Sequence, residues 1–222
     1  MEENIDSKNY NSQMDFLSSF QESNNSSNLK PNSDQIDLID QPQNKKLEKE
    51  SIQLPEMLLI VDTETTGLDP KKHSCIELGA ILFNVFHRDV LAQQSFLIPV
   101  KSNDAEGINR IPSALTRLNQ PFKKAMGYFE DLLETSDAVV AHNAAFDRQW
   151  FGKAPLPEIS KPWICTMEDI SWSRDRQLKT RPSVRDLALA YGIPVWSAHR
   201  ALSDCIYIAE VFKRCDDLED LL

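Results

Sequence analysis

The sequence predicts an α/β domain, a mixed β-sheet flanked by α-helices, behind a disordered N-terminal tail. Three observations predict it. The short apolar run MLLIV at 57–61 ends in acid, as a buried strand does. Two apolar, β-rich stretches follow at 75–86 and 91–100, separated by the polar turn His87-Arg88-Asp89. Beyond them, helical periodicity and cap residues alternate with one more short strand.

The tail is residues 1–54. Asn, Ser and Gln make up 23 of these residues (8, 9 and 6), and apolar positions are sparse and aperiodic. Such a segment cannot bury enough surface to offset chain entropy. Five basic and ten acidic residues give it a charge of −5, half of the chain's −10. Inside it lies QMDFLSSF, which Gln13 opens and Phe20 closes. This segment resembles sliding-clamp-binding peptides. Phe16 stands where an aliphatic residue is usual and Ser19 interrupts an aromatic pair, so a chance cluster is the simpler explanation.

Residues 55–222 form the ordered domain. The strand at 57–61 and the two stretches after it read as one strand followed by an antiparallel pair. Pro121 opens a helix through FKKAMGYFEDLLE, where Phe122, Met126, Phe129, Leu132 and Leu133 recur at helical spacing. Residues 138–141 are a short strand. Asn143 suits an N-cap for a helix running to Trp150. Ser183 caps the helix VRDLALAYG, which ends at Gly192. The last helix covers 198–215.

Composition bounds the function. With 41% hydrophobic and 26% charged residues the chain is ordinary for a soluble globular protein. No apolar run approaches the roughly 20 residues of a membrane helix. The start, MEENIDSKNYNS, has neither the basic nor the apolar region of a secretory signal, so the expected location is cytoplasmic. Cys75, Cys165, Cys205 and Cys215 form no C-x-x-C pair and read as small buried residues. The acidic balance argues against strong non-specific grip on nucleic acid. A nuclease remains compatible, because bound metal ions can engage phosphates in place of lysines.

Five scattered residues carry the chemistry: Asp62 and Glu64 in LLIVDTETTGLDP, Asp147 in VVAHNAAFDRQWF, and His199 with Asp204 in AHRALSDC. Each carboxylate adjoins a stretch expected to be buried. Such carboxylates are costly unless something positive neutralises them, and a pair of divalent metal ions would do so. Asp62 and Glu64, two apart at a strand end, point the same way. Asp147 falls in the first turn of its helix, where the macrodipole alone would favour it. His199 and Asp204, five apart, are separated by about 140° on a regular helix. They converge only if His199 precedes the helix, and Pro194 in GIPVWSA supports an irregular connection there. Taken singly, each has a bland reading: strand-closing acids, a helix-dipole aspartate, a loop histidine.

Taken together, VDTETTGLDP, AHNAAFD and HRALSDC resemble the DEDDh branch of the 3′–5′ exonuclease superfamily, over about residues 58–212. The branch includes the proofreading epsilon subunit of bacterial DNA polymerase III. His199 marks the branch, since the other branch has tyrosine there. Cys165 and Cys205 depart from the residues frequent in relatives and touch none of the five positions. The resemblance implies a ribonuclease H-like fold and a site with two Mg²⁺ or Mn²⁺ ions. Asp62, Glu64 and Asp204 would hold one ion, Asp62 with Asp147, directly or through water, the other, and His199 would act as general base. It also implies that Thr65, Thr66 and Leu68 lie against the terminal nucleotide of a single-stranded 3′ end, with His142 and Asn143 nearby. Independently, Asn143 is explained as a cap and His142 as a core histidine. Arg174, Arg176, Lys179, Arg181 and Arg185 form the most basic stretch, able to track a substrate backbone or simply to be solvated.

The expected activity is metal-dependent release of nucleoside 5′-monophosphates, from DNA more readily than RNA. Proofreading would need a polymerase partner, since 222 residues hold no polymerase domain. The rival readings are an RNA-trimming enzyme and a non-catalytic nucleic-acid-binding or polymerase-assembly module on the same fold.

Overall fold

The computed structural model describes residues 54–118, 121–197 and 199–222. The tail, with the clamp-like segment at 13–20, lies outside the described residues up to position 53.

Three strands open the domain: β1 (Met57–Thr65), β2 (Cys75–Asn84) and β3 (Asp89–Leu97). Two one-turn helices follow, α1 (Glu106–Asn109) and α2 (Ser113–Thr116), and then the long α3 (Phe122–Thr135). After β4 (Ala138–Ala141) come α4 (Ala144–Arg148) and β5 (Trp163–Cys165). The chain closes with α5 (Val184–Ala190), α6 (Ala201–Arg214) and α7 (Leu218–Leu221). The sheet runs β3-β2-β1-β4-β5. β1 pairs antiparallel with β2 and parallel with β4, so it occupies the centre.

Alternation along β1 feeds two cores, one on each face of the sheet. Leu58 and Ile60 join Ile81, Phe83, Leu187, Tyr207, Ile208 and Phe212 under α5 and α6. Leu59 and Val61 join Leu78, Leu82, Phe96, Met126, Phe129 and Leu132 under α3. A strand buried on both faces reads as a continuous apolar run, as MLLIV does. The helical spacing expected of α3 matches its buried residues Met126, Phe129 and Leu132. The four cysteines are buried and unpaired.

Several boundaries differ from the expected ones. β1 continues four residues past Val61, because Asp62 and Glu64 keep their ladder partners Gly79 and Glu77 on β2. α4 stops at Arg148 rather than Trp150, and Asn143 precedes it in a left-handed conformation (φ 63°) with no side-chain cap bond. Asn143 is therefore a turn residue, a role its short polar side chain tolerates. Ser183 does cap α5: its hydroxyl accepts from the Asp186 amide at 3.1 Å. Gly192 (φ 69°) ends that segment in the left-handed region. α6 starts at Ala201 and not at 198, since His199 holds φ 60°, which no helix residue adopts. β5, α1 and α2 were not expected, nor was α7, which follows the helix read as the last one.

Candidate active site

The period-2 pattern that sends Leu58 and Ile60 toward α6 continues through Asp62 and Glu64. Asp204, in the first turn of α6, meets them. Asp62, Glu64 and Asp204 each offer a carboxylate oxygen, and these lie within 4.8 Å of one another. The expected convergence of three of the four acids is thus present, and all three are half-buried.

Asp147 is held differently. Thr63 points to the opposite face of β1, where α4 packs. Its amide and its hydroxyl both donate to one oxygen of Asp147, at 2.9 and 2.7 Å. Asp147 is 2% exposed, so it is fixed as an internal acceptor at the back of the cluster.

The four acids disfavour one another's charge. Burial raises the Asp62 carboxyl well above the ordinary range, reinforced by Asp147, Asp204, Glu64 and Glu77. Glu64 is pushed up to about 8, chiefly by burial and then by Asp204 and Glu77. Asp147 rises to about 7 through burial, although its bonds from Thr63 oppose this. Asp204 rises to about 6, again through burial, while the His199 amide donates to it and pulls the other way.

His199 is exposed on the connection before α6. It stands outside the three-carboxylate cluster and is tied to it through that backbone bond to Asp204. Arg200 follows, and Glu77 receives it. Glu77 is 1% exposed, and Nη2 of Arg200 reaches its Oε1 at 2.8 Å.

The loop after β1 is built from internal bonds. The Thr65 hydroxyl donates to the Gly67 carbonyl at 2.8 Å, and the Thr66 hydroxyl accepts from the Ser74 amide at 3.0 Å. Both threonines are buried, and the Thr66 amide donates back to the Ser74 carbonyl at 2.9 Å. Asn109, 2% exposed, donates to the Thr65 carbonyl at 3.0 Å and braces the loop from α1. A Cβ on Gly67 would come within 2.6 Å of the His73 ring, so a larger residue there would have to displace that ring. Leu68 at the tip is 79% exposed.

Both ring nitrogens of His142 are engaged inside the fold, Nδ1 with the Thr166 hydroxyl and Nε2 with the Pro182 carbonyl, each at 2.8 Å. Burial lowers its pKa. The Pro182 carbonyl can only accept, so Nε2 donates and Nδ1 accepts from Thr166. His142 thus behaves as the core histidine of the bland reading. In the basic stretch, Arg181 pairs with Glu168, and Arg176 lies over the Tyr191 ring at 4.3 Å. Lys179 and Arg185 are exposed.

Thr63, Glu77, Arg200 and Asn109 were not anticipated from sequence. Glu77 alone had a signal: an acid inside the apolar run CIELGAILF must find a partner once buried. Thr63, between two acids, has no comparable mark.

Comparison with known proteins fits this geometry. The sequence profile of the exonuclease family (RNase_T) matches residues 59–212. The chain belongs to that exonuclease family. It is 30% identical over 162 residues to the DNA polymerase III subunit epsilon of Treponema pallidum, covering 68% of this chain and 72% of that protein. It is 32% identical over 167 residues to exodeoxyribonuclease 10 of Escherichia coli K12, covering 69% and 66%. The PolC-type DNA polymerase III of Thermotoga maritima matches at 30% over 70% of this chain, which spans only 12% of that polymerase's length. Among solved structures, exonuclease X bound to 5′-overhanging duplex DNA superposes with a TM-score of 0.51 at 28% identity, covering 70% of this chain and 89% of that one. The nuclease domain of 3′hExo bound to rAMP shares the fold, with a TM-score of 0.58 at 16% identity, covering 75% and 93%.

Proposed function

We propose that this protein removes nucleotides from the 3′ end of single-stranded nucleic acid, DNA in preference to RNA, and releases nucleoside 5′-monophosphates. The observation that carries the reading is the carboxylate cluster. Three oxygens within 4.8 Å repel one another, and Arg200, the cation acting on Glu64, is already paired with Glu77. Hard oxygen donors in that number suit Mg²⁺ or Mn²⁺. Asp62, Glu64 and Asp204 would hold one ion, and Asp62 with Asp147 a second. When bound, such ions lower the pKa of water and neutralise charge on the scissile phosphate.

The chain's own residues do the rest. His199, exposed and tethered through its amide to Asp204, takes a proton from the attacking water at a ring nitrogen. Thr63 keeps Asp147 in one orientation. The loop carrying Thr65 and Thr66, with the exposed Leu68 side chain at its tip, receives the terminal nucleotide, with Asn143 flanking. Exodeoxyribonuclease 10 supports a DNA substrate. The DNA polymerase III relatives support a polymerase partner, with the 13–20 segment as a candidate clamp contact. Among the described residues, no helix is long and apolar enough to cross a membrane. A cytoplasmic setting suits these partners.

The test is digestion of matched single-stranded DNA and RNA oligonucleotides, 5′-labelled, with Mn²⁺, with Mg²⁺ and with EDTA. The expected result is a ladder shortening from the 3′ end, faster on DNA and absent in EDTA. Undiminished cleavage in EDTA, or no cleavage under any condition, refutes the proposal.

A further inference from the structure

Arg200 sits beside His199, where a cation is readily taken for a phosphate contact. Its geometry says otherwise. Nε lies 3.3 and 3.0 Å from the two Glu77 oxygens, and Nη2 lies 2.8 Å from Oε1. Planar, bidentate pairing of this kind fixes orientation as well as charge. Glu77 is 1% exposed and accepts two further bonds, from the Ser95 hydroxyl at 3.0 Å and from the Ala201 amide at 3.2 Å. That amide belongs to the first residue of α6, one of the donors a helix start leaves without an intrahelical partner. The Arg200 carbonyl accepts from the Asp204 amide at 3.1 Å, so the anchored residue also begins the turn that carries Asp204.

A second contact lies two residues along β2. A Cβ on Gly79 would fall 2.5 Å from the Ala201 carbonyl carbon and the Leu202 nitrogen. Glycine at this position lets β2 touch the backbone of α6 directly. Glu77 and Gly79 share one face of the strand. They stand opposite Glu64 and Asp62 in the ladder. The strand next to the acids therefore grips the helix start at two points, and His199 (φ 60°) is suspended just before the grip.

We propose that Glu77 and Arg200 form a positioning pair that sets the start of α6 and thereby places His199 and Asp204 over Asp62 and Glu64. Arg200 acts through Glu77 and not on the substrate phosphate. This rests on the exonuclease reading above only for the catalytic consequence. Losing either partner leaves Asp62 and Glu64 in place on β1 and misplaces His199 and Asp204, which lowers turnover without weakening substrate binding.

The experiment compares Arg200→Gln, Glu77→Gln and the double variant of the full chain, with saturating Mn²⁺. The probes are the p-nitrophenyl ester of thymidine 5′-monophosphate, which reports chemistry alone, and a single-stranded oligodeoxynucleotide. Each single variant is expected to lose about tenfold or more in kcat on both substrates with KM within about twofold, since small misplacements of a catalytic group cost this much. The double variant should be no worse than the weaker single, because both remove one unit. Peptides spanning 198–206 should exchange amide hydrogens faster in both singles. Arg200→Gln with normal kcat on the ester and raised KM on the oligonucleotide overturns the proposal, as do additive losses in the double variant. Should Glu77→Gln fail to fold, Arg200→Lys decides: partial recovery over Arg200→Gln in kcat supports the pair, and none overturns it. If the wild type cleaves neither probe, the nuclease reading falls by itself. Unchanged exchange at 198–206 in Arg200→Gln then overturns the pair.

Discussion

One oxygen of Asp147 receives both the amide and the hydroxyl of Thr63, at 2.9 and 2.7 Å. The residue between the two strand acids thus orients the acid on α4. A single threonine links the two faces of β1.

Thr63→Val keeps the shape and the amide bond but removes the hydroxyl. A buried carboxylate losing one donor costs about 1–3 kcal/mol. The variant is expected to lose that much stability in urea denaturation, and exonuclease turnover by about tenfold as Asp147 swings. Wild-type turnover with wild-type stability would show that the hydroxyl bond does not matter.

Asp62→Asn separates charge from fold. Its carboxyl is raised by burial and by four neighbouring acids, so the amide relieves repulsion. Metal-free Asp62→Asn should melt at or above the wild-type temperature at pH 8, while exonuclease activity falls below detection. Differential scanning calorimetry in EDTA, set beside the oligonucleotide assay, checks both halves. Activity near wild type would remove Asp62 from the site.

Protonation should set the stability of the metal-free protein. Folded, Glu64 keeps its proton to about 8, Asp147 to about 7 and Asp204 to about 6, whereas the ordinary values are 4.5, 3.8 and 3.8. Between these limits the folded state binds more protons than the unfolded state, so stability falls as pH rises. The metal-free Tm is expected to be higher near pH 5 than near pH 8. Mn²⁺ binds the deprotonated acids, so its stabilisation should be larger at pH 8. A metal-free Tm that climbs from pH 5 to pH 8 contradicts the assignment.

Gly79→Ala tests the close approach of β2 and α6. The added methyl meets backbone at 2.5 Å, which cannot yield as a side-chain end would. Overpacking of this kind costs about 1–3 kcal/mol, read as a lower urea midpoint. The displaced helix start should also cut kcat by about a hundredfold, since 1 Å of misplacement suffices for that.

The sequence makes the acids legible for a physical reason. Strand periodicity alone puts Asp62 and Glu64 on one side, and Pro194 with the five-residue spacing already requires His199 to precede the helix. Asp147 is found through its motif, but its partner Thr63 is not, because a threonine in a strand has many ordinary uses. β5 escapes notice because three residues, WIC, are too few to show a period. α1 and α2 are single turns held by loop contacts, such as Asn109 to the Thr65 carbonyl, and lack a helical stripe. Asn143 reads as a side-chain cap although it is a left-handed turn residue, because the same residue type serves both purposes.

The buried, unpaired cysteines have a practical consequence. Burial pushes the thiols of Cys75, Cys205 and Cys215 up, away from the reactive thiolate, and Cys165 is shielded as well. A cysteine introduced at Leu68, 79% exposed at the tip of its loop, would then outcompete all four for a maleimide dye. The native protein thus comes ready for single-site fluorescent labelling, with the reporter mounted where a strand end is proposed to arrive.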